Sequence, residues 1–256
     1  MARAADTVIT REIWAARDGV KLHAVEWRPR GERAGLPILA VGGALSTAWN
    51  AQELGVAAAS GVLGVPRSLI SPDRRGVGLS SAPRTGYMPS DFAKDSRAIV
   101  AAAGVGDVVV YGHSLGVPIA IAYALEHRDT VRGLALGDYP ARWPRLTGDW
   151  LDRALAAFDG TWSREGVAQM HRESVETSYW SDLADLQAPV LAITGTNADV
   201  RLKPDDAERY RRACGDASLV VINGADHSLT VDGDHAPFFA VLRGFLAGID
   251  RATSTH

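Results

Sequence analysis

A single cysteine, Cys214, stands in 256 residues. A lone thiol excludes an intrachain disulfide framework and a cysteine-ligated metal cluster. Its place at the end of PDDAERYRRAC, a helical pattern, reads as a packing position. Lysine is also scarce: Lys21, Lys94 and Lys203 are the only three, so nearly all of the 27 basic residues are arginines, and they are scattered. Against 30 acidic residues they leave a net charge of −3, which offers no basic face to nucleic acid or to anionic lipid. No apolar run approaches the roughly 20 residues of a membrane span. The opening MARAADTVITREIW lacks the apolar centre of a secretion signal. These absences lead us to expect a cytoplasmic chain with no nucleic-acid partner and no membrane partner.

What the chain does have is apolar bulk, 46% hydrophobic against 22% charged residues, enough for a sizeable core. Val8–Ala15 and Val20–Arg28 alternate in polarity around Asp18-Gly19, which predicts a β-hairpin. From residue 37 the pattern changes to short runs that are apolar on both faces: PILAVG, SLISP, VVVYG, VRGLALG, PVLAITG and SLVVING. Such runs suit buried parallel strands, and helical patterns at 47–59, 90–104, 115–127, 203–214 and 235–248 supply the crossovers. The connection over 139–187 is too long for a single helix, and it carries seven aromatics, four of them tryptophan. We expect these residues to form a small helical cap over the C-terminal edge of the sheet, where open α/β sheets bind ligands.

Gly112-His113-Ser114-Leu115-Gly116 has the form G-x-S-x-G. Alone that pentapeptide is a weak signal. Its setting makes it a strong one, because it directly follows the strand pattern DVVVY and directly precedes the helical pattern LGVPIAIAYALEH. A strand–turn–helix of this kind strains the serine outward at the strand tip, with the new helix N-terminus beside it. Serine is a poor nucleophile near neutral pH and needs an imidazole within hydrogen-bond reach. His227, in the loop after SLVVING, is the candidate, ahead of His23, His113, His127, His171, His235 and His256.

With these features the chain resembles the α/β-hydrolase superfamily over nearly its whole length. Besides GHSLG, the segment SPDRRGVGLS (71–80) is similar to the loop after that family's fourth strand. The resemblance implies the α/β-hydrolase fold: a mostly parallel central sheet with helices on both faces and a cap inserted after the sixth strand. The core would span 1–138 and 188–256, and the cap 139–187. It also implies a triad in the order serine, acid, histidine, with the acid after a late strand. Asp199, after PVLAITG, is the favoured acid. Asp138, after VRGLALG, is the alternative, because some family members carry the acid one strand earlier. By the same resemblance the oxyanion hole is made by the backbone N–H groups of Leu115 and Ala44. Where the family commonly has His-Gly before the second donor, this chain has Gly42-Gly43, which removes a side chain that would brace the loop.

The implied reaction is acyl transfer to water from a carboxylester, thioester or lactone of a neutral, largely apolar small molecule. It would pass through an acyl-serine and use no metal or organic cofactor. Cofactor-free haloperoxidase or perhydrolase activity, carbon–carbon bond hydrolysis and a slow-turnover ligand receptor are the alternatives. Asp73-Arg74-Arg75-Gly76 has no phosphate-loop spacing and reads instead as an arginine–aspartate network bracing its loop.

Overall fold

The computed structural model describes residues 7–214 and 218–253; His256 lies outside them. Strands β1 (Val8–Arg17) and β2 (Val20–Pro29) form the expected hairpin, with Arg17 opposite Val20. Asp18 and Gly19 close it with φ of +50° and +77°, the left-handed pair that a two-residue turn of this type needs. The chain then alternates strand and helix: β3 (Ile38–Val41), α1 (Gln52–Ala59), β4 (Leu69–Asp73), α2 (Pro89–Ala102), β5 (Val108–His113), α3 (Gly116–Glu126) and β6 (Val131–Gly137).

Residues 139–187 hold β7 (Arg142–Trp143), α4 (Gly148–Ala156), α5 (Arg164–Glu173) and β8 (Thr177–Ser178), with β7 and β8 paired as a separate ribbon. The main pattern resumes with β9 (Val190–Gly195), α6 (Pro204–Ala213), β10 (Ser218–Ile222) and α7 (Ala236–Thr253). The main sheet has eight strands in the order β1-β2-β4-β3-β5-β6-β9-β10. From β4 to β10 all neighbours run parallel, and only β1 and β2 are antiparallel.

Alternate residues of the inner strands feed two cores, which is why their runs are apolar on both faces. In β5, Val108 and Val110 pack with Phe92 of α2 and Ile119 and Tyr123 of α3. Val109 and Tyr111 point the other way, to Ala58 of α1 and Phe238 and Leu242 of α7. Burying a side chain of this size removes roughly 1.5–3 kcal/mol of exposure cost each, so these two layers are the main reason the sheet is stable. Among the described residues no helix is long and apolar enough to cross a membrane.

The order β4-β3-β5 places the site. The chain leaves β3 toward β4 on one side, while β5 lies on the other, so the ends of β3 and β5 border the point where the strand order reverses. The loop after β3 and the turn after β5 therefore face each other at the C-terminal edge. Residues 139–187 pack beside that edge. Gly78 donates its N–H to the Thr161 carbonyl at 2.7 Å, and Ser163 donates to the Gly76 carbonyl at 2.7 Å. Trp162, Val77, Ala154 and Val167 form a small core of their own.

Candidate active site

Ser114 occupies the turn between β5 and α3 with φ +52°, a left-handed conformation that a side chain adopts only under local constraint. The constraint comes from both sides of the turn. A Cβ on Gly112 would stand 2.7 Å from the Ala120 Cβ and 2.8 Å from the Gly116 carbonyl oxygen. One on Gly116 would stand 2.2 Å from the Val41 carbonyl oxygen. Strand and helix thus approach so closely that only glycine fits on either side, and the serine between them is pushed to the tip.

His227, in the loop after β10, brings its Nε2 to 3.0 Å from Ser114 Oγ. Its Nδ1 lies 2.6 Å from an oxygen of Asp138. The network assigns the tautomer: Nδ1–H donates to the carboxylate, and Nε2 accepts from the serine hydroxyl. The favoured acid from sequence, Asp199, is elsewhere. Its carboxylate accepts the backbone N–H of His227 at 3.2 Å and does not reach the imidazole. The reason is geometric. Asp138 ends β6, next to β5 in the sheet, with φ +48° turning its side chain toward the strand tips. Asp199 lies four residues beyond β9, in an exposed loop.

Asp138 is fully buried. Burial by itself would raise its carboxyl, but hydrogen bonds from His227, the Arg201 N–H, Thr194 Oγ1 and the Leu202 N–H outweigh burial and hold it below the usual carboxylate range. None of Thr194, Arg201 and Leu202 was singled out by sequence, and the two backbone donors leave no residue-type signal to find.

His113, which sequence reasoning passed over, reaches the same centre. Its Nε2–H donates to the His227 carbonyl at 2.8 Å, and the two rings lie 5.1 Å apart. Burial lowers its pKa and so favours the neutral form beside the His227 imidazole. Asp226 points away, accepting from the Thr230 N–H and hydroxyl.

The loop after β3 closes over the serine. A Cβ on Gly43 would lie 3.3 Å from the Ser114 Cβ, so the backbone passes close beside the Ser114 side chain. Among the described hydrogen bonds neither the Ala44 nor the Leu115 N–H has a protein acceptor.

A cavity of about 600 Å³ adjoins this loop. Gly42, Gly43, His113, Leu54, Tyr111 and Phe238 line it, whereas Ser114 and His227 do not. No residue of 139–187 lines it. Several aromatics of that segment are used for packing: Trp143 against Phe92, Trp162 against Phe158, and Trp180 against Tyr210. Glu53 and His235 also line the cavity, with His235 Nδ1 2.8 Å from a Glu53 carboxylate oxygen.

The loop after β4 holds the expected bracing network in part. Arg75 grips Asp95 with two bonds of 2.7 Å, and Asp73 accepts from His23 and from the Ala48 and Leu79 N–H groups. Arg74 is not part of it. Cys214 is buried, and its thiol is pushed up to about 11 by that burial, as befits an inert packing residue. Among the described residues no cluster of three or more His, Cys, Asp and Glu is arranged to hold a metal ion.

Comparison with known proteins agrees with the fold. A family model described as alpha/beta hydrolase fold matches residues 66–166. The chain is similar to a 2-(acetamidomethylene)succinate hydrolase of Mesorhizobium japonicum, 36% identical over 70 residues. That match spans 27% of this chain and only 25% of the relative's length. A non-heme haloperoxidase of Rhodococcus erythropolis is 25% identical over 65% of this chain and 78% of its own. Among solved structures, an esterase from Rhodococcus sp. ECU1013 superposes with a TM-score of 0.72 at 21% identity, covering 95% of this chain and 99% of that one.

Proposed function

This chain belongs to the α/β-hydrolase superfamily, and from that premise we propose that it is a serine hydrolase cleaving an ester-like bond of an uncharged small molecule. The observation that carries the reading is the row Ser114 Oγ, His227 Nε2, His227 Nδ1, Asp138 Oδ2, with hydrogen-bond distances of 3.0 and 2.6 Å. Ser114 Oγ attacks the substrate carbonyl while His227 Nε2 takes its proton. Asp138 holds the imidazole in the productive tautomer and stabilises the imidazolium that forms. The carbonyl oxygen becomes negative between the N–H groups of Ala44 and Leu115. Collapse of this intermediate expels the alcohol, thiol or lactone hydroxyl, which receives the proton from His227. Water, activated by the same imidazole, then releases the acid and frees Ser114.

The uncharged substrate class is part of this proposal: among the described residues, no unpaired charged side chain is a hydrogen-bond partner of the Ser114 hydroxyl or the His227 imidazole, and their one ionised partner, Asp138, is taken up by the imidazole. Residues 139–187 act in this reading as a cap that closes the site on the side of the loop after β4. The similarity to a haloperoxidase favours one second reading, in which hydrogen peroxide replaces water in deacylation and a peracid leaves.

The test is a fluorophosphonate probe with mass mapping, followed by a p-nitrophenyl ester series from acetate to octanoate. Labelling at Ser114 alone, lost in Ser114→Ala, is expected. So is a rise in kcat/KM with chain length, by roughly 0.8 kcal/mol per methylene until the acyl site is full. Labelling elsewhere defeats the catalytic assignment. A single turnover without release identifies a receptor instead, and preference for a charged acyl group defeats the substrate class.

A further inference from the structure

Arg74 is buried beside the site, 6% exposed, and among the described residues it has no carboxylate partner. A buried cation without a counter-ion is costly, and that cost needs a compensating role. Its Nη2 donates to two carbonyls, those of Gly43 and Ala44, in the loop that passes over Ser114. Its Nη1 is buried with no partner. The guanidinium carbon is 5.7 Å from the centre of the Phe92 ring. Burial lowers its pKa to about 10, so the group stays charged at neutral pH.

The loop it grips has little of its own to hold it. Gly42 and Gly43 carry no side chains, and among the described residues the Gly43 carbonyl otherwise receives only a 3.3 Å bond from the Ser46 N–H. The Gly43 carbonyl and the Ala44 N–H belong to one planar peptide unit, in which the two groups point in opposite directions. Holding the oxygen therefore aims the hydrogen. A charge-assisted bond to that oxygen also polarises the peptide and makes its N–H a stronger donor.

We propose that Arg74 is a positioning residue for the oxyanion hole: by binding the carbonyls of Gly43 and Ala44, it turns the Ala44 N–H toward the oxygen that becomes negative. The proposal rests on the serine-hydrolase reading above. It assigns to an arginine from the loop after β4 the bracing that no side chain of the loop after β3 provides. Because the ground-state carbonyl gains less from this donor than the tetrahedral intermediate does, Arg74 acts on kcat and not on KM.

The test compares wild type with Arg74→Met and Arg74→Lys, using kcat, KM, Tm and the Kd of an alkyl boronic acid, which mimics the tetrahedral intermediate on serine. Loss of a whole oxyanion donor costs about 10²–10³ in kcat. Misaiming one is expected to cost roughly 30–100-fold in Arg74→Met, with KM within about threefold and boronate affinity weakened in step with kcat. Arg74→Lys keeps the charge but lacks the fork, and it is expected to recover part of the loss. Where Arg74→Met does not fold, Arg74→Lys decides: kcat within twofold of wild type overturns the proposal. So does a kcat loss with unchanged boronate affinity, or one shared equally by KM. Failure of wild type to label at Ser114 counts against the hydrolase reading itself, and is thereby separable from a normal label with an unaffected Arg74 variant.

Discussion

Asp138 Oδ2 lies 2.6 Å from His227 Nδ1, and the same carboxylate takes hydrogen bonds from Thr194 Oγ1 and the backbone N–H groups of Arg201 and Leu202. One acid therefore ties together the ends of β6, β9 and the loop after β10. Asp138→Asn is expected to lower kcat by about 10⁴, since the amide favours the wrong imidazole tautomer. Asp199→Asn leaves the imidazole contact intact and is expected to cost less than about tenfold by the same reasoning. Steady-state kinetics on both variants checks the ranking; a larger loss at Asp199 reverses the assignment.

Acid stability follows from two groups. His113 has a lowered folded pKa, first because of burial, so below its ordinary value of 6.5 the unfolded chain binds a proton that the native state refuses. Stability then falls as pH drops from about 6.5. Asp138, also lowered, contributes stability that is present above the ordinary carboxylate value of 3.8 and is lost as pH falls through its folded value. Tm measured from pH 7.5 to 4.5 is expected to decline, and to decline less steeply between 6.5 and 5 in His113→Gln. Equal slopes in the two proteins would remove His113 from the account.

Two glycines divide stability from activity. Gly116→Ala forces a Cβ to within 2.2 Å of the Val41 carbonyl oxygen and 2.5 Å of that of Gly42, backbone atoms that cannot yield locally. A loss of about 3 kcal/mol or more is expected, from overpacking. Gly43→Ala meets the Ser114 Cβ at 3.3 Å, a contact that a shift of a few tenths of an ångström relieves. It is expected to lower kcat with Tm nearly unchanged. Urea melts and kinetics on the pair test this division.

Trp162 is 5% exposed and packs with Val77, Ala154 and Val167, with the Phe158 ring edge-on at 4.9 Å. Trp162→Ala is expected to cost about 3–5 kcal/mol locally, as large aromatic truncations do. Hydrogen exchange is expected to accelerate in residues 148–173 and 74–81 while β5 and β6 stay protected. Uniform acceleration would mean that this segment is no separate unit.

The sequence by itself determined the sheet and the place of Ser114 at the turn between β5 and α3. Two-sided apolar runs demand burial on both faces, and the glycines at 112 and 116, set between a strand pattern and a helical pattern, point to a tight strand–turn–helix. These are local requirements, legible within a few residues of the chain. The choice of acid was not local. Asp138 and Asp199 both follow strand patterns, and only the adjacency of β6 to β5, with the left-handed turn at Asp138, decides which carboxylate meets the imidazole. The aromatics of 139–187 carried a composition signal, but composition does not say which way a ring faces. Trp143, Trp162 and Trp180 pack against Phe92, Phe158 and Tyr210, and none of them lines the cavity that holds Gly42, Gly43 and His113, although Trp162 borders a second one with Leu45, Ser46 and Thr47. Arg74 and Arg75 are neighbours of one type in one loop, yet Arg75 meets Asp95 while Arg74 meets two carbonyls over Ser114. Partners such as these come from distant strands and helices, so only the tertiary structure separates the two roles.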